Sequence, residues 1–295
     1  MDAKTLETQL LELIRRTSSR LPGDVVRAVE KGWRKEARGS IAKDALRTVL
    51  DNIELAREKS QPMCQDTGTI ICYADLPAWC DETTFKKAYE RAVVRATKVG
   101  YLRQNSVDSI TGKNSGNNLG PGNPAFHLHQ TRAKTLSVRM MLKGGGCENV
   151  GIQYSLPDTG LGAGRDLAGV RTCLLDAVMK AQGKGCGPGI LGVCIGGDRG
   201  TGYLASKEEF FRTLDDTNEN RELAKLERKI LKEANSLGIG PMGFGGATTL
   251  LGCKITHRNR VPASFFVSVS YMCWAFRRDG FKLSESGKIS RWLYE

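Results

Sequence analysis

The chain has 295 residues, of which 40% are hydrophobic, and its 44 Lys and Arg against 32 Asp and Glu give a formal net charge of +12. A chain of this length and composition can bury a substantial core, and it has no run close to the roughly 20 apolar residues that a membrane-spanning helix needs. The N-terminal segment carries acids and an amphipathic pattern, unlike a secretory signal peptide. We therefore expect a cytoplasmic protein without a membrane partner.

The positive charge does not indicate a nucleic-acid-binding protein, because Lys and Arg are spread from end to end and mixed with acids. A nucleic-acid-binding chain usually concentrates its basic residues on one face or in one block. A positive field that attracts small anionic substrates fits the distribution better. Solubility alone accounts for part of the charge.

The chain contains nine cysteines. Their odd number and irregular spacing argue against a disulfide framework, so some thiols are free to bind metal. Most of them are expected to be small buried hydrophobic residues. No Cys-x-x-Cys pair occurs, which excludes zinc fingers and the cysteine runs of ferredoxins.

In the first part of the chain, apolar periodicity predicts a strand at Thr69–Tyr73 and helices at residues 5–16, 41–57 and 83–98. Thr83 or Thr84 is the predicted N-cap of the third helix. Residues 105–124 are rich in Gly, Asn and Pro and should form a loop. So long a loop is more often functional than idle, so we expect polar contacts to a substrate; the alternative is a mobile surface excursion.

In the second part, a strand at Ser137–Leu142 leads into three glycines. Further apolar patterns predict helices at residues 166–182 and 220–236, and strands at Ile190–Ile195, Thr248–Ile255 and Phe265–Met272. Strands and helices alternate without strict βαβ order. The expected fold class is therefore α/β of the mixed α+β kind, a single domain over residues 1–295 with helices packed on mixed β-sheets.

Three cysteines stand where the chain leaves a regular element. Cys64, followed by Gln65 and Asp66, lies at a helix-to-strand break, where a turn can present all three side chains to one cavity. Cys186 is flanked by glycines, and Cys273 ends a predicted strand. Thiolates bind soft metals. The alternatives are an Asx-type turn, a tight turn and a core cysteine, respectively.

Two glycine-rich segments invite comparison with nucleotide-binding motifs. Lys143–Gly146 follows a strand and could cradle an anion with backbone N–H groups, but no Gly-Lys-Ser/Thr follows, so it is not a Walker A loop. Gly238–Gly243 contains Pro241 and follows a helix, which is wrong for a dinucleotide fingerprint. Neither segment predicts a nucleotide.

Read together, these segments resemble the alpha subunit of class I fumarases and of the related L(+)-tartrate dehydratases. The resemblance extends from about residue 40 to about residue 280 and is carried by several uncommon motifs in the same order: Pro62–Gly68 (PMCQDTG), Lys143–Gly146 (KGGG), Asn235–Gly246 (NSLGIGPMGFGG) and Ser268–Arg278 (SVSYMCWAFRR). It implies the fold of the N-terminal domain of class I fumarases.

The resemblance also implies a 4Fe–4S cluster held by three cysteines, which here are Cys64, Cys186 and Cys273. The fourth iron would keep an open position and act as a Lewis acid on the substrate's hydroxyl. The family pattern places the following residues at the substrate: Gln65, Asp66, Arg103, Gly144, Gly145 and Gly146. Asp66 would be the catalytic acid, and Arg103 would bind a carboxylate through its bidentate fork; without the resemblance, Arg103 would be taken for an ordinary surface arginine.

One position departs from the family. Relatives are expected to carry a histidine before the proline that leads to the third cysteine, but here Val261 precedes Pro262. Either His257 takes over this role or the substrate contacts differ. This departure affects the choice of substrate more than the cluster.

The expected function is the reversible hydration of fumarate to malate. Because the sequence ends at Glu295, soon after the third cysteine, the resemblance implies a separate beta subunit, a hetero-oligomer and an active site at the subunit interface. Dehydration of L(+)-tartrate is an alternative in the same chemical class. A non-catalytic iron–sulfur redox sensor is an alternative of another class.

Overall fold

A computed structural model describes residues 1–295. The chain divides into two compact units, each built from separate stretches of sequence. The first unit comprises Met1–Gly23, Asp51–Gly145 and Ala275–Glu295, and the second comprises Asp24–Leu50 and Gly146–Trp274. The prediction of one domain over the whole chain stays a prediction. None of the helices combines the length and the apolar character needed to cross a membrane.

Eight α-helices and nine β-strands form the regular structure. The helices are α1 (Ala3–Ser19), α2 (Gly23–Lys35), α3 (Ile41–Lys59), α4 (Glu82–Lys98), α5 (Gly145–Asn149), α6 (Leu167–Ala181), α7 (Arg199–Glu208) and α8 (Arg221–Ser236). The strands are β1 (Thr69–Leu76), β2 (Ala125–Gln130), β3 (Leu136–Lys143), β4 (Ile152–Ser155), β5 (Gly189–Gly196), β6 (Leu250–Arg258), β7 (Phe266–Met272), β8 (Arg277–Leu283) and β9 (Ile289–Trp292). This content confirms the mixed α/β class.

The first unit is a five-stranded sheet covered by α1 and α4. Its strand order is β2-β1-β3-β8-β9, with β1 parallel to β2 and the other pairs antiparallel. Alternate residues of β1 and β3 point into one apolar core, as the two-residue period of a strand requires. That core includes Leu10, Ile14, Cys72, Phe85 and Met140.

The strand registers bring three segments of the first unit to one end of this sheet. Thr69, the first residue of β1, pairs with Lys143, the last residue of β3. Leu142 pairs with Arg277, the first residue of β8. The chain before β1, the glycines after β3 and the start of β8 therefore lie at the same end of the sheet, which we call the site end.

The second unit is built on a four-stranded sheet with the order β4-β7-β5-β6. Strand β5 is parallel to β6 and antiparallel to β7, and every residue of β5 is buried. Helix α8 packs on β6, and α7 packs on β5 and β7. The continuous apolar run of β5 is typical of a strand covered on both faces.

The structure contains every helix and strand predicted from apolar periodicity. These elements are α1, α3, α4, α6, α8, β1, β3, β5, β6 and β7. Residues 105–124 form no helix or strand and contain only isolated bridges, as expected for a loop.

The predicted N-cap of α4 at Thr83 or Thr84 is wrong, because Asp81 caps this helix and its side chain accepts a hydrogen bond from Thr84 N. A carboxylate caps a helix as well as a hydroxyl does and also complements the helix dipole. The elements that the sequence did not predict are α2, α5, α7, β2, β4, β8 and β9.

Candidate functional site

The site end of the first unit holds Asp66 against the glycines that follow β3. Asp66 Oδ2 accepts a hydrogen bond of 2.7 Å from Gly145 N. Gly68 has φ +80°, and a Cβ on it would lie 2.6 Å from the carbonyl carbon of Lys143. A side chain would not fit at this close approach of two backbones, so the glycine at position 68 allows the Asp66 segment to reach Gly145.

The Cys64 segment is fixed to two helices through its neighbour Met63. Met63 N donates to Ser18 O at the end of α1 (3.2 Å), and Asn52 Nδ2 in α3 donates to Met63 O (2.8 Å). Met63 is buried, whereas the Cys64 thiol is partly exposed. The backbone is thus anchored on one side while the thiol stays accessible to a ligand.

Arg103 lies next to the Cys64–Asp66 turn. Its Nη1 donates to Gln65 O (3.3 Å), and its backbone N donates to Thr67 Oγ1 (3.3 Å). The guanidinium is exposed, as a group that binds an incoming anion must be. The turn and Arg103 therefore form one hydrogen-bonded unit.

Two asparagines of the long loop hold Arg103 in place, although the sequence did not single them out. The Asn105 side-chain amide lies 2.9 Å from Thr67 Oγ1, and Asn105 N donates to Asn118 Oδ1 (2.7 Å). Asn118, which is buried, donates from Nδ2 to Arg103 O (2.6 Å). The loop is thus organised by side chain–backbone hydrogen bonds, and its density of Asn residues was the signal that could have indicated them.

In the second unit, the turn that contains Cys186 packs against Tyr271 of β7, the strand that leads to Cys273. A Cβ on Gly185 would lie 2.4 Å from the Tyr271 ring, and a Cβ on Gly189 would lie 2.2 Å from it. Trp274 N donates to Cys186 O (3.3 Å). The glycines around Cys186 are therefore required by the buried tyrosine, which fixes this turn beside the end of β7.

The surroundings of Tyr271 contain a third thiol. Burial raises the pKa of Tyr271, and Cys273, Cys147 and Cys186 raise it further by charge repulsion. Cys147, in α5, is buried, and no sequence motif distinguishes it from the other core cysteines.

The second glycine-rich segment supports the Cys186 turn from outside. Met242 N donates to Gly187 O (3.0 Å), and a Cβ on Gly183 would lie 2.5 Å from Met242 O. Gly240 has φ +68°, and a Cβ there would lie 1.8 Å from Gly245 O. The motif at Asn235–Gly246 therefore acts as packing for the turn and not as a nucleotide-binding loop.

The predicted site residues fall into two groups, one in each unit. The first unit contains Cys64, Gln65, Asp66, Arg103, Gly144 and Gly145, and the second contains Gly146, Cys186 and Cys273. No group of three or more His, Cys, Asp or Glu side chains is arranged to hold a single metal ion. Three thiolates that bind a cubane cluster attach to different irons and need not converge on one point.

Val261, at the position that departs from the family, is 65% exposed. Its aliphatic side chain can neither donate nor accept a hydrogen bond. Arg260 Nη1 donates to the carbonyl oxygens of Val261, Pro262 and Ser264, which fixes the loop. His257 is exposed and lines a cavity of about 590 Å³, which none of the three candidate cysteines lines.

The chain is similar in sequence to known fumarate hydratases and tartrate dehydratases. The sequence model of the family described as fumarate hydratase (fumerase) matches residues 7–282. A protein of Geobacillus stearothermophilus with the provisional name fumarate hydratase class I is 51% identical over 294 residues, which are 98% of this chain and 57% of that protein. The chain thus spans little more than half the length of this relative.

Two further relatives are close to this chain in length. A protein of Methanocaldococcus jannaschii, provisionally named L(+)-tartrate dehydratase subunit alpha, is 31% identical over 275 residues, covering 91% of this chain and 94% of that protein. The L(+)-tartrate dehydratase subunit alpha of Escherichia coli K12 is 29% identical over 269 residues, covering 88% and 85%.

Proposed function

Because the chain belongs to the class I fumarate hydratase family, we propose that it is the alpha subunit of an iron–sulfur hydro-lyase that reversibly hydrates fumarate to malate. The observation that carries this proposal is the turn at the site end of the first unit. There, an accessible thiol at Cys64, a carboxylate oriented by a backbone amide at Asp66 and an exposed guanidinium at Arg103 lie within one hydrogen-bonded segment.

Cys64, Cys186 and Cys273 are the proposed ligands of a 4Fe–4S cluster. Iron–sulfur clusters are held by Cys thiolates, usually four; three would leave one iron with an open position. Two structural features fit such a group: Cys64 and Cys186 are not buried, and Tyr271 packs against Gly185 and Gly189, which holds the Cys186 turn beside the end of β7 that leads to Cys273. When bound, the cluster supplies a Lewis-acidic iron that polarises the substrate's hydroxyl.

Asp66 is the proposed proton donor to the departing hydroxyl, and the proton acceptor from water in the reverse direction. One carboxylate oxygen, Oδ2, is held by Gly145 N, so the orientation of the carboxyl group is fixed and Oδ1 is available for proton transfer. A positioned acid of this kind acts by general acid–base catalysis. Gln65, the neighbouring residue, is proposed to contact the substrate.

Arg103 is the proposed binding residue for a substrate carboxylate. Its Nη1 is engaged with Gln65 O, which orients the guanidinium and leaves other N–H groups for a bidentate contact. The backbone N–H groups of the glycine turn (Gly144, Gly145 and Gly146) are proposed to lie beside the substrate or the cluster. Gly145 N already stabilises one carboxylate, that of Asp66.

A separate beta subunit is proposed to complete the site and to supply the base that removes the carbon-bound proton. The two relatives of similar length are named as alpha subunits, which supports this partner. We further propose that the assembly is a hetero-oligomer in the cytoplasm. Fumarate is the proposed substrate in preference to tartrate because the sequence is 51% identical to the fumarate hydratase relative and 29–31% identical to the tartrate dehydratase relatives.

Anaerobic reconstitution of the chain with its beta subunit tests the proposal. Wild-type chain should bind iron and acid-labile sulfide and turn over malate faster than L(+)-tartrate. Cys64→Ser, Cys186→Ser and Cys273→Ser should each lose the cluster. Cys147→Ser is the matched control because Cys147 also lies near Tyr271, and it should keep the cluster.

Each other outcome of this experiment contradicts a definite part of the proposal. Faster turnover of tartrate than of malate would show that the proposed substrate is wrong. Loss of the cluster in Cys147→Ser would show that the proposed set of cysteine ligands is wrong. A loaded complex without turnover of either acid would favour a redox-sensing role. Absence of iron and sulfide in the wild type would exclude the cluster.

A further inference from the structure

Arg277 is a buried guanidinium for which the structure provides no counter-charge. It is 1% exposed, and neither its Nε nor its Nη1 has a hydrogen-bond partner. No carboxylate lies within ion-pair distance of it in the structure. Burying an unpaired charge is costly, and native proteins normally pair it.

Two other buried cations, Arg278 and Lys254, each lie beside a group that stabilises their charge. Arg278, also 1% exposed, places its guanidinium 4.0 Å from the ring centroid of Phe276 and 5.0 Å from that of Tyr294, where aromatic faces stabilise a cation. Lys254 donates to Asp216 Oδ1 (2.6 Å). Arg278 Nε and Nη1 also make no hydrogen bond, but aromatic rings stabilise its charge. What sets Arg277 apart is that neither a carboxylate nor an aromatic face stabilises its guanidinium.

Arg20, whose Nε is also unpartnered, lies at the same end of the first unit as Arg277. Arg16 Nε in α1 donates to Asp279 Oδ2 in β8 (2.8 Å), and Gln9 contacts Gly287, so helix and strand run in opposite directions. Arg20 lies four residues after Arg16, a distance of about 6 Å along the helix axis. Arg277 lies two residues before Asp279, about 6 Å along β8. Both arginines are therefore displaced from the Arg16–Asp279 contact towards the site end.

Arg20 adds to the excess of positive charge there. Its Nε is buried without a partner, and burial followed by the charges of Arg15 and Arg16 lowers its pKa. Asp279 does not compensate both arginines, because its Oδ2 is occupied by Arg16 and its Oδ1 by Gly280 N.

The Cys64 segment lies at this end as well. Met63 N donates to Ser18 O, two residues before Arg20. Arg277 pairs with Leu142, three residues before Gly145, which binds Asp66. Within the first unit, the unpaired positive charge thus accumulates beside the proposed cluster ligand and the proposed acid.

We infer that Arg277 is the buried counter-charge of the iron–sulfur cluster, an inference that rests on the proposed function. A cluster held by three thiolates is a net anion, and its net charge and hydrogen bonds determine its stability and potential. A resident anion suits a guanidinium that is 1% exposed. A substrate carboxylate must enter and leave, and the exposed Arg103 suits it better.

Charge removal at Arg277 tests the inference in the complex with the beta subunit, after anaerobic loading with iron and sulfide. Arg277→Met should lose the cluster to an iron chelator about 10- to 100-fold faster than the wild type, the usual effect of removing a group that supports metal ligands. Its cluster potential should shift to more negative values. Arg277→Lys, which keeps the charge, and Phe281→Leu, which perturbs the same strand and face, should stay close to the wild type.

The stability of the cluster-free chain is a second measurement, and here the substitution should not be harmful. Without the cluster, the guanidinium is an uncompensated buried charge, so cluster-free Arg277→Met should resist urea at least as well as the cluster-free wild type. A variant that unfolds more easily or fails to fold would show a structural role and overturn the inference.

Three results with the loaded complex would also overturn it. The first is unchanged cluster retention and potential in Arg277→Met. The second is equally fast loss of the cluster in Arg277→Met and Phe281→Leu. The third is a retained cluster with weakened malate binding in Arg277→Met, which would assign Arg277 to the substrate. A wild type that takes up no iron or sulfide would instead refute the proposed function itself.

Discussion

At the level of single residues, one substitution at Asp66 can distinguish its role in holding the turn from its proposed role in proton transfer. Its hydrogen bond from Gly145 N uses one oxygen only, and an asparagine keeps an oxygen that can accept the same bond. The turn should therefore survive Asp66→Asn, while proton transfer by the carboxyl group is lost.

We expect Asp66→Asn to lower kcat for malate roughly 10²- to 10⁴-fold, the usual contribution of a positioned general acid, with iron and sulfide content unchanged. Steady-state kinetics and metal analysis of the complex measure both quantities. Asp81→Asn is the control, since asparagine caps a helix as well as aspartate does and Asp81 caps α4. Full activity of Asp66→Asn would remove Asp66 from the mechanism.

The single residues also show what could be read from the sequence. Cys64, Asp66 and Arg103 were predicted to be site residues from the resemblance to the family, and this stays a prediction. The structure joins Asp66 to Gly145 and Arg103 to Gln65. Asn105 and Asn118 were missed because their function depends on hydrogen bonds to residues far away in the chain. A local pattern of polar residues does not show which backbone groups they will satisfy.

At the level of elements, the turn between α3 and β1 depends on Gly68. Gly68→Ala would force a side chain into a left-handed conformation and place its Cβ 2.6 Å from a backbone carbon of Lys143. We expect a loss of about 3 kcal/mol in the free energy of unfolding, from the conformational cost and the steric overlap together.

Gly116→Ala is the matched control for this prediction. Gly116 has φ +78°, but nothing lies within 4 Å of a Cβ placed there, so only the conformational cost of about 1 kcal/mol applies. Urea unfolding followed by circular dichroism compares the two variants. Equal losses would mean that the close approach to β3 does not determine the choice of glycine.

The predicted elements share an apolar period, and the missed ones lack it for identifiable reasons. Strand β8 begins with Arg277, Arg278 and Asp279, all buried, and buried charges contradict the apolar alternation by which a strand is recognised. Helix α7 contains Gly200 and Gly202 and begins with the capping box of Asp198 and Thr201. Its helical conformation depends on the cap and on packing more than on propensity.

At the level of the whole molecule, the motifs that carry the resemblance are distributed over two compact units. Cys64 belongs to the first and Cys186 and Cys273 to the second. The composition could not indicate this division, because both units draw on separate stretches of the chain. The order of the motifs was nevertheless sufficient to identify the family, which the match over residues 7–282 confirms.

Burial over the whole molecule separates the nine cysteines into two reactivity classes. Cys186 is exposed and Cys64 partly exposed, and the other seven are buried. Burial raises the pKa of Cys80, Cys173 and Cys194 to about 11 each. Because the thiolate is the nucleophile, a buried thiol with a raised pKa should react slowly for two reasons, access and protonation.

In the cluster-free chain at about pH 8, iodoacetamide should therefore modify Cys186 and Cys64 at least about tenfold faster than Cys80, Cys173 and Cys194. Peptide mass spectrometry over time measures the order, and the unfolded chain in concentrated guanidinium chloride, where all nine should react alike, is the control. Prior anaerobic loading with iron and sulfide should protect Cys186 and Cys64 if they bind the cluster. Early modification of Cys173 would contradict the burial on which the two classes rest, and unprotected Cys64 in a loaded chain would remove it from the proposed ligands.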